Sequence, residues 1–160
     1  MSNGRDTQRS KLYDSEHQVF RYDRDFTTVR QAQKWSNSIT GSRWWKGLGG
    51  PSFVLIKQTR SDANTSTALG RRNEIKLAPG MMSKWVLLHE LAHIAMFHIA
   101  RNRPSHGPEY ALVYRRLIEE FLGDEWRQHL GVAFERNGVK SSTSDQRVIN
   151  ALAQASGETL

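Results

Sequence analysis

From Tyr110 through Val113, Tyr114, Leu117 and Ile118 to Phe121 and Leu122, apolar residues recur at i, i+3, i+4 and i+7 without a break. That is the spacing of one face of an amphipathic helix. Pro108 suits its first turn, where a missing amide proton does no harm, and Gly123 ends it. "DEWRQHLGVAFERNG" then continues as a further helix with Trp126, Leu130 and Phe134 predicted to face inward. Upstream, "SKWVLLHELAHIAMFHI", Ser83 to Ile99, is apolar on nearly every face and predicts a long helix in the middle of a domain. Pro104 stops it, and "RNRPSHG" makes a turn into the next helix.

The first half is patterned more weakly. Thr7 to Phe20 can form a helix, with Leu12, Tyr13, Glu16 and Phe20 at mixed spacing. A second helix runs from Thr27 or Thr28 to about Asn37, with Asp25 or Thr27 as its cap and Val29, Ala32 and Trp35 on one face. "GLGGPS" follows as a turn and not as a phosphate-cradling loop. "SFVLIKQ" reads as a strand, "STALG" as a weaker one, and "NEIKLA" alternates up to the terminating Pro79-Gly80. These elements predict an α+β fold in which a small sheet immediately precedes the central helix. The boundaries expected are one domain over residues 1–138 and a polar C-terminal tail, 139–160, in which "RVINALAQA" is the one candidate helix.

Composition narrows the class. A chain of 160 residues has room for one domain with a real core, and 38% hydrophobic with 24% charged residues is ordinary for a soluble protein. No apolar run approaches the length of a membrane span, and the start "MSNGRDTQRSKLYDSEH" lacks the apolar stretch of a secretory signal, so a cytoplasmic protein is expected. With no cysteine, a bound metal has only His, Asp and Glu to hold it. The formal charge of +7 is scattered, with no run longer than the pairs Arg71-Arg72 and Arg115-Arg116. This favours a solvated basic surface over a nucleic-acid partner, which stays open as the alternative. Trp44 and Trp45, between Arg43 and Lys46, read as packing residues sooner than as a base-stacking platform.

The candidate chemistry lies in "HELAHIAMFHIARNRPSHGPEY", His89 to Tyr110. At about 100° per residue, His89 and His93 lie one turn apart on the same side of a helix, with Glu90 beside them. Two imidazoles can converge on one ion, and a carboxylate next to them can take a proton from water. Buried without a partner, such groups would be costly on an otherwise apolar helix, and a metal removes that cost. His98, nine residues beyond His89, faces the opposite way. His106 lies past the Pro104 turn, where the chain can double back to the open side of the pair, and is favoured as third ligand. Glu109, one turn on, is the alternative ligand or a partner that orients His106. Tyr110 and Tyr114 face inward and are expected to pack; a phenol that approaches the metal could instead stabilise an oxyanion.

"HELAH" followed by a turn and "HGPEY", and "GRRNEIKLA" at Gly70–Ala78, resemble the SprT-like (Spartan-like) metalloproteases over about Leu69 to Leu122. The whole layout is also similar to a small group of uncharacterised metallohydrolases of actinobacteria and their phages. The resemblance implies a zincin-like core: a small, mostly antiparallel sheet packed on a central active-site helix and further helices, with the strand before that helix lying along the cleft. It implies one zinc ion on His89, His93 and His106 and Glu90 as general base; Glu109 and Tyr110 stay, from the residues themselves, candidates for an orienting or cleft position. Tyr110 stands where the family has Phe, and no recognisable DNA-binding module follows the core, so a DNA-repair role is not carried over. The expected function is a zinc-dependent hydrolase, foremost a metallopeptidase that cleaves a peptide bond in a protein or peptide substrate by means of a zinc-bound water. The alternatives are a basic nucleic-acid-associated protein with a zinc site, and a zinc hydrolase of small amides.

Overall fold

A computed structural model describes residues 5–157. In chain order its elements are α1 (Arg9–Val19), α2 (Val29–Thr40), α3 (Arg43–Leu48), β1 (Leu55–Gln58), β2 (Thr67–Leu69), β3 (Glu74–Leu77), α4 (Lys84–Ala100), α5 (Pro108–Leu122), α6 (Asp124–Asn137) and α7 (Gln146–Ala155). The class is α+β, as the sequence pattern predicts, and α4 is the helix around which the rest is arranged. Leu87, Leu88, Leu91, Ala92, Ile94 and Ala95 expose nothing, and α4 packs on α5, α7, α2, β2 and β3. None of the described helices is long and apolar enough to cross a membrane.

The start of α4 is held by residues far away in the chain. Asp25 does not cap α2; there Thr28 Oγ1 accepts from Gln31 N at 3.2 Å. The Asp25 carboxylate instead accepts from the backbone N–H of Lys84 at 2.8 Å, satisfying one of the orphan donors of α4. Ser83, at the N-cap position of α4, gives its hydroxyl to the carbonyl of Asp23. The segment that links α1 to α2 is thereby pinned to the first turn of the central helix.

The sheet is mixed and not mostly antiparallel. Its order is β1-β3-β2, with β1 parallel to β3 and β2 antiparallel to it. The physical reason is the connection 59–73: parallel pairing needs a crossover of about a dozen residues or more, and β2 forms inside this one. β3 is therefore the central strand, paired on both edges. The outer edge of β1 is covered as well, because the Gln33 amide donates to Val54 O at 2.9 Å and accepts from Ile56 N at 2.8 Å. Of the two edge strands, β2 is the one whose outer edge meets no such partner among the described residues. Gly70 ends β2 where a Cβ would lie 2.4 Å from Cγ of Phe97, so only glycine lets this turn rest on α4.

α3 arises where the sequence pattern predicts no helix or strand. Trp45 is fully buried, with its indole N–H on Pro51 O at 2.7 Å, and Trp44 meets Phe121 edge-on, so both tryptophans pack in the core. Gly47 brings α3 against α7 so closely that a Cβ would sit 2.6 Å from Gln154 O. The stretch after Gly138 is tied to the start of α1, since Gln8 both donates to Lys140 O and accepts from Lys140 N. It then forms α7, which packs on α3, α4 and α5 with Val148 fully buried. On α6, Leu130 and Phe134 are inward as predicted, but Trp126 is 40% exposed. Its ring stacks on Phe20 at the rim, because Phe20 and Trp85 already fill the space beneath.

Candidate metal centre

His89 and His93 project from one side of α4, and His106 comes from the turn before α5, which doubles back over them. One ligand atom from each of the three lies within 4.8 Å of the others, the geometry of a group that could hold a metal ion. His98 is exposed and points away, with Nε2 against Asn73 Oδ1 at 2.7 Å.

Two carboxylates set the direction of the rings. His89 Nδ1 donates to Glu16 Oε2 at 2.7 Å, and His106 Nδ1 donates to Asp6 Oδ2 at 2.8 Å. The carboxylates accept, so each ring presents an Nδ1 proton to its partner and leaves Nε2 on the side facing the other histidines. His93 Nε2 lies 3.2 Å from His106 Nε2, in the same convergence. Carboxylate on one side and lone pair on the other is the arrangement by which outer groups orient and strengthen imidazole ligands. The donor set, three imidazole nitrogens and no thiolate, suits zinc. Burial, helped by the neighbouring His89 and His106, keeps His93 well below its ordinary pKa and hence neutral. Burial also lowers His106, against the opposing pull of Asp6. For His89 burial acts in the same direction, but the charge and hydrogen bond of Glu16 outweigh it and raise the pKa.

Neither carboxylate belongs to the histidine-rich segment. Glu16 is 1% exposed and lies on α1, where it also accepts from the Tyr114 hydroxyl at 2.8 Å. Glu109 does not take the place the sequence suggests for it. Its Oε1 accepts from Thr143 Oγ1 at 3.0 Å and lies 3.9 Å from Arg103, so it faces the C-terminal stretch while Asp6 orients His106. The same stretch steadies the turn that carries His106, because Arg103 donates to Asp145 at 2.9 Å. Arg147, with help from Arg103, holds the Asp145 carboxyl well below the usual range.

Tyr110 is wholly buried behind the three histidines. Its ring stacks on His93 at 4.4 Å between centroids, and its hydroxyl donates to the carbonyl of His89 at 2.9 Å. With that proton engaged it supports the ligand helix and is not turned toward a substrate. Tyr13, which the sequence pattern did not single out as chemical, stands in front instead. Its hydroxyl is 3.5 Å from His106 Nε2, its ring stacks on His89, and Arg9 lies over its outer face.

Glu90 follows His89 on α4 and lines the same cleft as the three histidines, a hollow of about 440 Å³ beside Thr65–Ala68 and Gly70. Burial is the main cause of its raised pKa, with Glu16 adding to it and His89 opposing. A carboxylate shifted in that direction is a better proton acceptor near neutral pH. Replacing Glu16 by Gln keeps the shape but removes the charge behind His89. The expected result is zinc affinity lowered about 10- to 100-fold with the fold retained, read by competition with a chelator of known affinity; unchanged affinity would show that Glu16 only fills space.

The sequence profile of the SprT-like family matches residues 11–136. No curated protein and no solved structure gives a significant match to the chain. The narrower likeness to actinobacterial and phage metallohydrolases finds no support in these comparisons.

Proposed function

The chain belongs to the SprT-like family, and on that footing we propose that it is a zinc-dependent metallopeptidase. The observation that carries the reading is the convergence of His89, His93 and His106 beside Glu90, in a cleft lined by the free edge of β2. His89, His93 and His106 would hold a zinc ion, which would supply a Lewis acid able to polarise a carbonyl and lower the pKa of water. Glu90 accepts the proton of the attacking water and returns it to the leaving nitrogen. Asp6 and Glu16 hold the ligand rings in register.

The strand assigned to the substrate changes from the one the sequence suggests. β3 has no edge left to offer, whereas β2 lies along the cleft with its outer edge open. An extended peptide that adds to β2 gains main-chain hydrogen bonds and places its carbonyl over the histidines. A cleft running along a strand edge favours a polypeptide over a small amide. The test is digestion of unfolded protein by the zinc-loaded chain: cleavage that stops on chelation and returns with zinc supports the reading, and absence of any cleavage counts against it.

Tyr13 is placed to donate a hydrogen bond to the oxygen that becomes negative as water adds. Tyr13→Phe is expected to lower kcat about 100-fold with KM little changed, the usual effect of losing one such donor. A loss that appears only in KM would make Tyr13 a substrate-packing residue.

A further inference from the structure

A second hollow, of about 220 Å³, opens beside His89 and Glu90. It shares Arg9, Tyr13, Thr65 and Ser66 with the larger one, so the two form one cleft with the histidines at its waist. The arms differ in chemistry. The larger runs past Phe97 to Arg101 and Arg103, while the smaller is walled by Tyr22, Met81, Trp85 and Val86.

The apolar arm is built from fixed parts. Trp85 and Val86 sit one turn before His89 on α4. The Trp85 indole donates to Arg21 O at 2.8 Å, and its ring stacks on Phe20 with 9° between planes. Tyr22 closes on Trp85 at 5.2 Å and is itself held by His17 at 2.9 Å. Two carboxylates border the hollow: Glu90 stands at its inner end beside His89, and Glu16 is already engaged by His89 and Tyr114, which leaves it poorly suited to pair with a basic side chain. A concave apolar site whose walls are fixed before the ligand arrives is the usual form of a side-chain pocket.

Resting on the metallopeptidase reading, we propose that this arm receives the side chain of the substrate residue adjoining the scissile bond, and that it selects a large apolar or aromatic residue there. Side chains of a peptide laid along β2 alternate in direction, so one of them turns down beside Thr65 and Ser66 into the hollow as the carbonyl meets the histidines.

The test compares two dipeptide hydroxamates, which grip zinc through the hydroxamate and differ only in carrying a benzyl side chain or a hydrogen. Both are titrated by calorimetry into the zinc-loaded protein, so the readout does not depend on turnover. The benzyl compound is expected to bind about tenfold tighter or more, the gain from burying such a group. The ratio should fall toward one in Val86→Trp, which fills the hollow, and decrease in Met81→Ala, which removes one wall with less risk to the core. Equal binding of both compounds to the unaltered protein overturns the pocket assignment and leaves the metal reading standing. Binding of neither overturns the metal reading, and the pocket with it.

Discussion

Glu90→Gln is expected to leave zinc content unchanged and to lower peptide hydrolysis by about 10³- to 10⁴-fold, the upper part of the range for loss of a general acid–base group. The substitution is nearly isosteric, and Glu90 is not among the three converging histidines, so the ligand set is untouched. What disappears is the carboxylate proposed to take a proton from water. Burial raises the pKa of this group, which places its basicity where it serves proton transfer. An amide cannot replace it at any pH. Zinc measured by emission spectroscopy and turnover measured on an unfolded substrate form the pair of readouts. Retained zinc with near-normal turnover would remove Glu90 from the base role and leave the metal site intact.

His106→Ala and His98→Ala should separate sharply in metal content. His106 brings one of three donor atoms lying within 4.8 Å of each other, and its Nδ1 proton is already committed to Asp6. Removing it leaves the two histidines of α4 and an open side. The zinc affinity should drop by more than the about 10- to 100-fold that an outer partner is worth. His98 touches Asn73 on the far side of α4, and its replacement should leave zinc binding as it was. Dialysis against a chelator followed by metal analysis distinguishes the two. Equal zinc retention by both variants would exclude His106 as a ligand.

The legibility of this site in the sequence depends on distance along the chain. His89, Glu90 and His93 are related by one helical turn, a period that any stretch of sequence displays. His106 is thirteen residues further, and a single proline turn is enough to bring it back. The groups behind them obey no such period. Glu16 meets His89 across 73 positions and Asp6 meets His106 across 100, so no local pattern marks them. The one hint was an acidic residue on the inner face of α1, one turn beyond the buried Leu12. Glu109 looked suitable because it is near His106 in sequence, yet Arg103 and Thr143 draw its carboxylate away. Asp25 shows the same effect outside the site, since it lies beside α2 but caps α4.

By itself, the sequence determined the helices with strong periodicity, the absence of thiolate ligands, and the pairing of two imidazoles with a carboxylate on α4. These are local facts, decided by turn angle and residue type. Tertiary structure alone decided that β3 is central and β2 is the open edge, that Asp6 and Glu16 orient the rings, and that Tyr13 and not Tyr110 faces the cleft. Each of these depends on which surfaces pack together, and packing joins residues whose separation along the chain carries no signal.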